Sequence, residues 1–203
     1  GVNIGDFGRQ TGEKFIDFLK ALEQVEGIER IRISSIEPEL LTHDIIDLVA
    51  ASDKFLPHFH IPLQSGSNKV LKEMKRKYTR EVYTDRVEYI KSLMPDACIA
   101  CDLIVGFPTE TEEDFEDTYK YLKELDISYM HIFTYSHRED TYALKLTEVL
   151  NPKQRRERAK TMHELSHWKK RNFYRGNTDS KRTVLFEAAN QNGWMSGWTE
   201  NYI

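Results

Sequence analysis

HFHIPLQSGS, residues 58–67, decides the fold. His58, His60, Pro62 and Gln64 alternate with Phe59, Ile61 and Leu63. Side chains along a strand point alternately to its two faces. The segment therefore reads as a strand with one polar and one apolar face. It ends in Gln-Ser-Gly-Ser, a turn that runs into a helical pattern at 68–74. A polar strand face that ends beside a helix start is where α/β barrels build their sites.

The alternation continues on both sides. Residues 30–36 (RIRISSI), 98–105 and 129–136 read as strands, and 42–51, 80–93 and 111–125 carry helical spacing. Thr42 is a candidate N-cap, and Thr111 with Asp114 forms a capping box. Asn151 and Pro152 start a long helix that runs to about Tyr174. Strands alternating with helices imply α/β class, a parallel sheet and right-handed crossovers. Polar groups gather at the strand C-terminal ends: Ser35 and Glu37, Gln64 and Ser65, Gly106 and Phe107, then Tyr135, Ser136 and Arg138. That edge holds the ligand in barrels and open sheets alike. Four strands do not close a barrel. The expectation is a partial, open TIM-like β/α barrel over 1–176, with further strands before Gly1. Past Gly176 the pattern changes. Residues 182–188 and 198–203 alternate as strands, and Asn192-Gly193 between them is a hairpin signal. Residues 177–203 thus read as a linker and the first strands of a small all-β module.

Composition narrows the class. The 203 residues suffice for one sizeable core, and a formal net charge of −4 argues against nucleic-acid binding by the chain as a whole. The charge is uneven. Residues 109–126 are acidic, while Arg155, Arg156, Arg158, Lys160, Lys169, Lys170, Arg171, Arg175, Lys181 and Arg182 crowd residues 153–182. The basic stretch fits a polyanion partner or a solvated helix face. No apolar run reaches the length of a membrane span, and no signal peptide is visible. Cys98 and Cys101 are the only cysteines, which excludes a disulfide scaffold and fits a reducing cytoplasm. They form a C-x-x-C, yet residues three apart on a strand face opposite sides. They read as buried strand residues, not as metal ligands.

His58-x-His60 suits a metal such as zinc, which would give a metal-dependent TIM-like barrel hydrolase. No later strand ends in a further His or Asp in a ligand position. Histidines hydrogen-bonded inside a polar lumen are the favoured reading. IVGFP (104–108) ends an apolar strand at Gly106, where backbone can approach a planar ligand closely. Arg138 could clamp a carboxylate or phosphate.

Taken in order, these segments resemble the tRNA methylthiotransferases of the radical S-adenosylmethionine superfamily. The matching runs are GVNIGDFG (1–8), RISSIEP (32–38), HFHIPLQSGS (58–67), MKRKYTR (74–80), DLIVGFPTETEEDFE (102–116), HIFTYSHR (131–138), VLFE and GWTENYI. GVNIGDFG resembles most the branch that acts on threonylcarbamoyl-modified adenosine beside the tRNA anticodon. The resemblance implies an open barrel of six β/α units followed by a TRAM RNA-binding module, with tRNA and S-adenosylmethionine as partners. It implies two 4Fe–4S clusters whose cysteines are not in this chain, an electron donor of unspecified kind, and methylthiolation at C2 of the adenine. By position in the motifs, Asn3, Ser35, Glu37, Gln64 and Ser65 should line the S-adenosylmethionine site. The backbone at Val105, Gly106 and Phe107 should approach its adenine. Arg138 should meet its carboxylate or an RNA phosphate. Lys169, Lys170, Arg171, Arg175, Lys181 and Arg182 should contact tRNA. The family's usual Pro-Gly after the Arg is Glu139-Asp140 here, which alters the turn chemistry of that loop. Without cluster cysteines, this stretch by itself is expected to be inactive, at most a non-catalytic RNA-binding piece.

Overall fold

The computed structural model describes residues 3–146, 150–187 and 192–203. Gly1 and Val2 of GVNIGDFG, and Ala188 of the 182–188 strand, lie outside the described residues.

The fold grows from β2 (Cys98–Val105), flanked by β1 (His58–His60) and β3 (Tyr129–Thr134) in a parallel sheet of order β1-β2-β3. Residues 30–36 add a more irregular strand than expected, held by two parallel bridges, Ile31 to Phe55 and Ser35 to His60. β1 is also shorter than the 58–63 expectation. Pro62 has no N–H for the ladder. Leu63 and Gln64 both donate to the Asp102 carbonyl, at 3.2 and 2.8 Å. Two residues opposite one make a β-bulge, which re-aims the side chain that follows. Gln64 takes up the bend in a left-handed conformation, φ 69°.

The helices are α1 (Phe15–Glu23), α2 (His43–Ala51), α3 (Asn68–Glu73), α4 (Arg80–Leu93), α5 (Glu112–Glu124) and α6 (Pro152–Gly176). α1 adds to the helices expected from the sequence. Its Phe15, Phe18, Leu19 and Leu22 have helical spacing, and Phe15 and Leu19 are buried. The capping box of α5 is formed as expected: Asp114 N–H donates to Thr111 Oγ1 at 3.2 Å and Thr111 N–H to Asp114 Oδ2 at 3.0 Å. Asn151 caps α6, its Oδ1 accepting from Lys153 and Gln154 N–H at 2.9 and 3.0 Å. Thr42 has the N-cap backbone of α2, but its hydroxyl bonds the Asp44 carboxylate instead of a helix N–H.

The period-two reading holds in the core. Phe59, Ile61 and Leu63, with Ile99, Cys101, Leu103 and Val105 of β2, are buried beneath Tyr83, Val87, Ile90, Phe115 and Leu122 of the covering helices. Each such large apolar side chain contributes about 1.5–3 kcal/mol on burial. A one-residue slip would turn the whole set to the polar face, so this run fixes the register. The opposite face carries His60, Asp102 and His131, with register pairs His60–Ala100 and Asp102–His131.

β4 (Val184–Phe186) and β5 (Gly197–Thr199) pair antiparallel, as the Asn192-Gly193 signal implies. The expected 198–203 strand stops at Thr199, and the chain turns back through Tyr202 at φ 68°. This tail lies against the N-terminal ends of the parallel strands. Asn201 donates to the Asp96 carbonyl at 2.9 Å, and Arg182 pairs with Asp96 at 2.5 Å and Glu200 at 3.3 Å. Tyr202 stacks on Trp198, with the Arg32 guanidinium 4.5 Å above its ring and His58 4.7 Å away. Among the described residues no helix is long and apolar enough to cross a membrane.

Candidate active site

At the C-terminal edge of the sheet a cavity of about 600 Å³ opens between the bulge after β1 and the loop after β3. Gln64, Asp102, Phe107, Phe133, Tyr135 and Arg138 line it. A second cavity of about 480 Å³ lies beside it, lined by Asn3, Glu37, Glu39 and Arg9. Met74, Lys75 and Arg76 line both and form the wall between them.

The residues expected at the site divide accordingly. Gln64, Phe107 and Arg138 border the larger cavity, while Asn3 and Glu37 border the smaller. Asn3 Oδ1 accepts from Glu37 N–H at 3.3 Å, and Arg76 pairs with Glu37 at 3.2 Å. Ser35, Ser65, Val105 and Gly106 line neither cavity. Ser65 is buried, and its hydroxyl accepts from Ser67 N–H at 3.2 Å. Val105 gives its carbonyl to Tyr135 N–H at 2.9 Å, and Gly106 N–H donates to Glu110 at 3.0 Å. These four residues support the site from behind. Gly106 has φ 74°, and a Cβ there would meet Arg155 Cγ at 2.5 Å, so close packing adds to the backbone requirement for glycine. The Phe107 and Tyr135 rings meet edge to face, 5.6 Å between centroids, which gives the cavity an aromatic wall for a planar ligand.

The polar face of the sheet differs from the expectation in two ways. His60 is hydrogen-bonded, Nε2 to Asp102 Oδ1 at 3.0 Å, but both ring nitrogens of buried His58 lack a partner. Burial, with help from Arg32 and His60, lowers the His58 pKa to about 4. His60 also gains neighbours that strand ends did not offer. Asp102 and His131 sit mid-strand on β2 and β3, and the three donor atoms lie within 4.8 Å of one another. The set could hold a divalent ion, and the His60–Asp102 bond also accounts for it as a hydrogen-bonded lumen pair. A charged Asp102 inside the apolar run CIACDLIV is the sequence signal for it. The alignment with His131 rests on register between strands, which no local pattern encodes.

The thiols do not fit an iron–sulfur cluster. Cluster ligation needs thiolates converging on one site. Cys101 joins the helix-side core while Cys98 faces the other way, as the strand parity implies. Burial pushes the Cys98 thiol up to about 11 and Cys101 to about 12.

The basic stretch is corrected in part. Lys169 is buried, and its ammonium donates to the carbonyls of Leu125 at 2.6 Å and Lys123 at 3.3 Å. Arg182 is committed to Asp96 and Glu200. Arg155 and Arg158 are buried too, and Arg158 pairs with Glu110 at 2.6 Å and Glu112 at 2.7 Å. Lys170, Arg171, Arg175 and Lys181 remain exposed.

The family model of the radical SAM superfamily matches residues 8–122. Among curated proteins, the threonylcarbamoyladenosine tRNA methylthiotransferase of Aquifex aeolicus is 41% identical over 100% of the chain and 48% of its own length. That of Bacillus subtilis is 36% identical over 100% of the chain and 46% of its length. The tRNA-2-methylthio-N(6)-dimethylallyladenosine synthase of Alkaliphilus oremlandii is 42% identical over 78% of the chain and 34% of its length. The chain thus spans about half the length, or less, of these relatives. Among solved structures, coproporphyrinogen III oxidase from Escherichia coli, a radical SAM enzyme, superposes with TM-score 0.60 at 19% identity, covering 82% of this chain and 37% of the oxidase. That likeness concerns the fold.

Proposed function

The chain belongs to the radical S-adenosylmethionine superfamily, and from that premise we propose that it is part of a tRNA methylthiotransferase acting on threonylcarbamoyl-modified adenosine. The observation that carries this reading is that the two relatives aligned over the whole chain bear that activity in their names. S-adenosylmethionine, when bound, supplies the adenosyl radical and, from a second molecule, the methyl group. The two 4Fe–4S clusters implied by the reading take no ligand from Cys98 or Cys101. The residues of this chain bind and orient. Gln64, aimed by its bulge, hydrogen-bonds the cofactor. Phe107 and Tyr135 pack against its adenine. Asn3 and Glu37 form the neighbouring wall, while Ser35, Ser65, Val105 and Gly106 hold the edge in shape. Arg138 meets a carboxylate or phosphate, and exposed Lys170, Arg171, Arg175 and Lys181 face the tRNA. Residues 177–203 begin the RNA-binding module of the whole protein.

Calorimetry on the full-length protein tests the cofactor site. Removing a hydrogen-bonding group should cost about 1–3 kcal/mol, so S-adenosylmethionine should bind roughly 5- to 150-fold more weakly to Gln64→Ala. Glu37→Ala should weaken it in the same direction. Unchanged affinity in both variants, with the fold intact, would remove the assignment.

A further inference from the structure

The wall between the two cavities is built on a backbone feature that its side chain does not favour. α3 ends in a Schellman arrangement. Lys75 N–H donates to the Lys72 carbonyl at 3.1 Å, and Arg76 N–H to the Leu71 carbonyl at 3.0 Å. The residue that turns left-handed in this motif is most often glycine, which has no Cβ to clash. Here it is Lys75, at φ 61°. Packing does not explain the lysine, because its side chain is exposed. Its ammonium stands 4.4 Å from the centroid of the half-exposed Tyr142 ring, at the cavity mouth. The loop beneath is firmly held. Tyr78 is buried and donates to the carbonyls of Pro62 and Leu63 at 3.0 and 3.2 Å.

The charges on the wall are also unequal. Most acids around it are engaged: Glu37 with Arg76, Asp6 with Arg9, Asp102 with His60, and Glu73 with Thr109; Glu39 is the exception, its buried Oε2 without a hydrogen-bond partner and its charge facing Lys77. Among the described residues no salt bridge reaches Lys75, Lys77 or Arg138, and all three are exposed. The Schellman turn accounts for the left-handed backbone but not for a lysine in it, and the ammonium so placed stands at the rim of the cavity.

Resting on the tRNA reading above, we infer that Lys75 on this wall and Lys77 beside it at the smaller cavity, with Arg138 at the larger one, hold the RNA phosphates that flank the target nucleotide. A strand that lowers one nucleotide into the larger cavity must carry its neighbouring phosphates over the rim. Lysine meets phosphate as a point charge and contributes position rather than base specificity.

The inference sets stability and binding in opposite directions at one residue. Lys75→Gly relieves the left-handed backbone and removes the ammonium, while Lys75→Arg keeps the charge. Each phosphate contact contributes about 0.7–0.9 log units of affinity per tenfold change in salt. Anisotropy titration of a labelled tRNA anticodon stem–loop with the full-length protein, across a salt series, should show a slope flatter by about that amount for Lys75→Gly. Lys77→Ala should flatten it likewise. Lys75→Arg should keep the parent slope, and Lys75→Gly should melt higher than the parent. The loss should be equal for stem–loops with and without a carboxylate-bearing modification on the target adenosine. A parent slope in Lys75→Gly, or a loss confined to the modified RNA, would overturn the inference and leave the tRNA reading standing. Failure of the parent to bind the stem–loop at all would remove the tRNA reading and this role with it.

Discussion

His58 shows how one buried side chain couples the parallel sheet to pH. The ring lies under Tyr202, and neither nitrogen has a partner. Burial first, then the Arg32 and His60 charges, lower its pKa from 6.5 to about 4. The unfolded chain therefore binds more protons than the folded one between about pH 4 and 6.5. Stability rises with pH through that window and is lost as pH falls through it. A shift of this size corresponds to roughly 3 kcal/mol in full, of which about 2 kcal/mol would be lost between pH 7 and 5. Urea unfolding at those two pH values should show the loss in the parent and a much smaller one in His58→Leu. Equal losses would mean that other groups carry the acid sensitivity. At this scale the sequence was partly legible. Strand parity separated Cys98 from Cys101 and set His60 on the polar face, because period two is a local rule. That His58 would be covered by a tail more than a hundred residues later was not a local matter.

Lys169 belongs to the scale of elements, because it ends one helix from within another. The last carbonyls of a helix have no partner of their own. Those of Lys123 and Leu125, at the end of α5, receive the Lys169 ammonium instead. Burial lowers that ammonium to about 8. Lys169→Ala should cost about 1–3 kcal/mol of stability through the lost bonds to the helix end, read as a lower urea midpoint, with an unchanged salt slope of tRNA binding. Lys170→Ala together with Arg171→Ala should do the reverse. An unchanged midpoint with a flattened slope in Lys169→Ala would return this residue to the RNA surface. A signal for its burial exists in the sequence. Ala159, Met162 and Leu165 form the buried stripe of α6, and Lys169 falls four residues after Leu165 on the same face. Composition, which counts it as one cation among eleven in residues 153–182, conceals that. The caps at Thr111 and Asn151 were legible because a cap is contained in four consecutive residues. The bulge at Leu63 and Gln64 was not, since it depends on which carbonyl of β2 lies opposite.

Over the whole molecule, the alternation of strands and helices fixed the parallel order, and the motif order named the family. What it could not place was everything set by register between distant segments: the His60–Asp102–His131 group, the division of the expected cofactor residues between two cavities, and the docking of residues 199–203 against Asp96 and His58. These long-range relations bring Gln64, the aromatic wall and Arg138 to one edge. They make that edge the centre of the proposed chemistry. The most direct measurement of that chemistry is mass spectrometry of nucleosides from tRNA, taken from cells lacking the gene and supplied with the full-length protein. The parent should restore a methylthio derivative of threonylcarbamoyladenosine, and Gln64→Ala, expressed at the same level, should restore much less. Restoration of a methylthio group only on dimethylallyladenosine, or on no adenosine at all, would contradict the account.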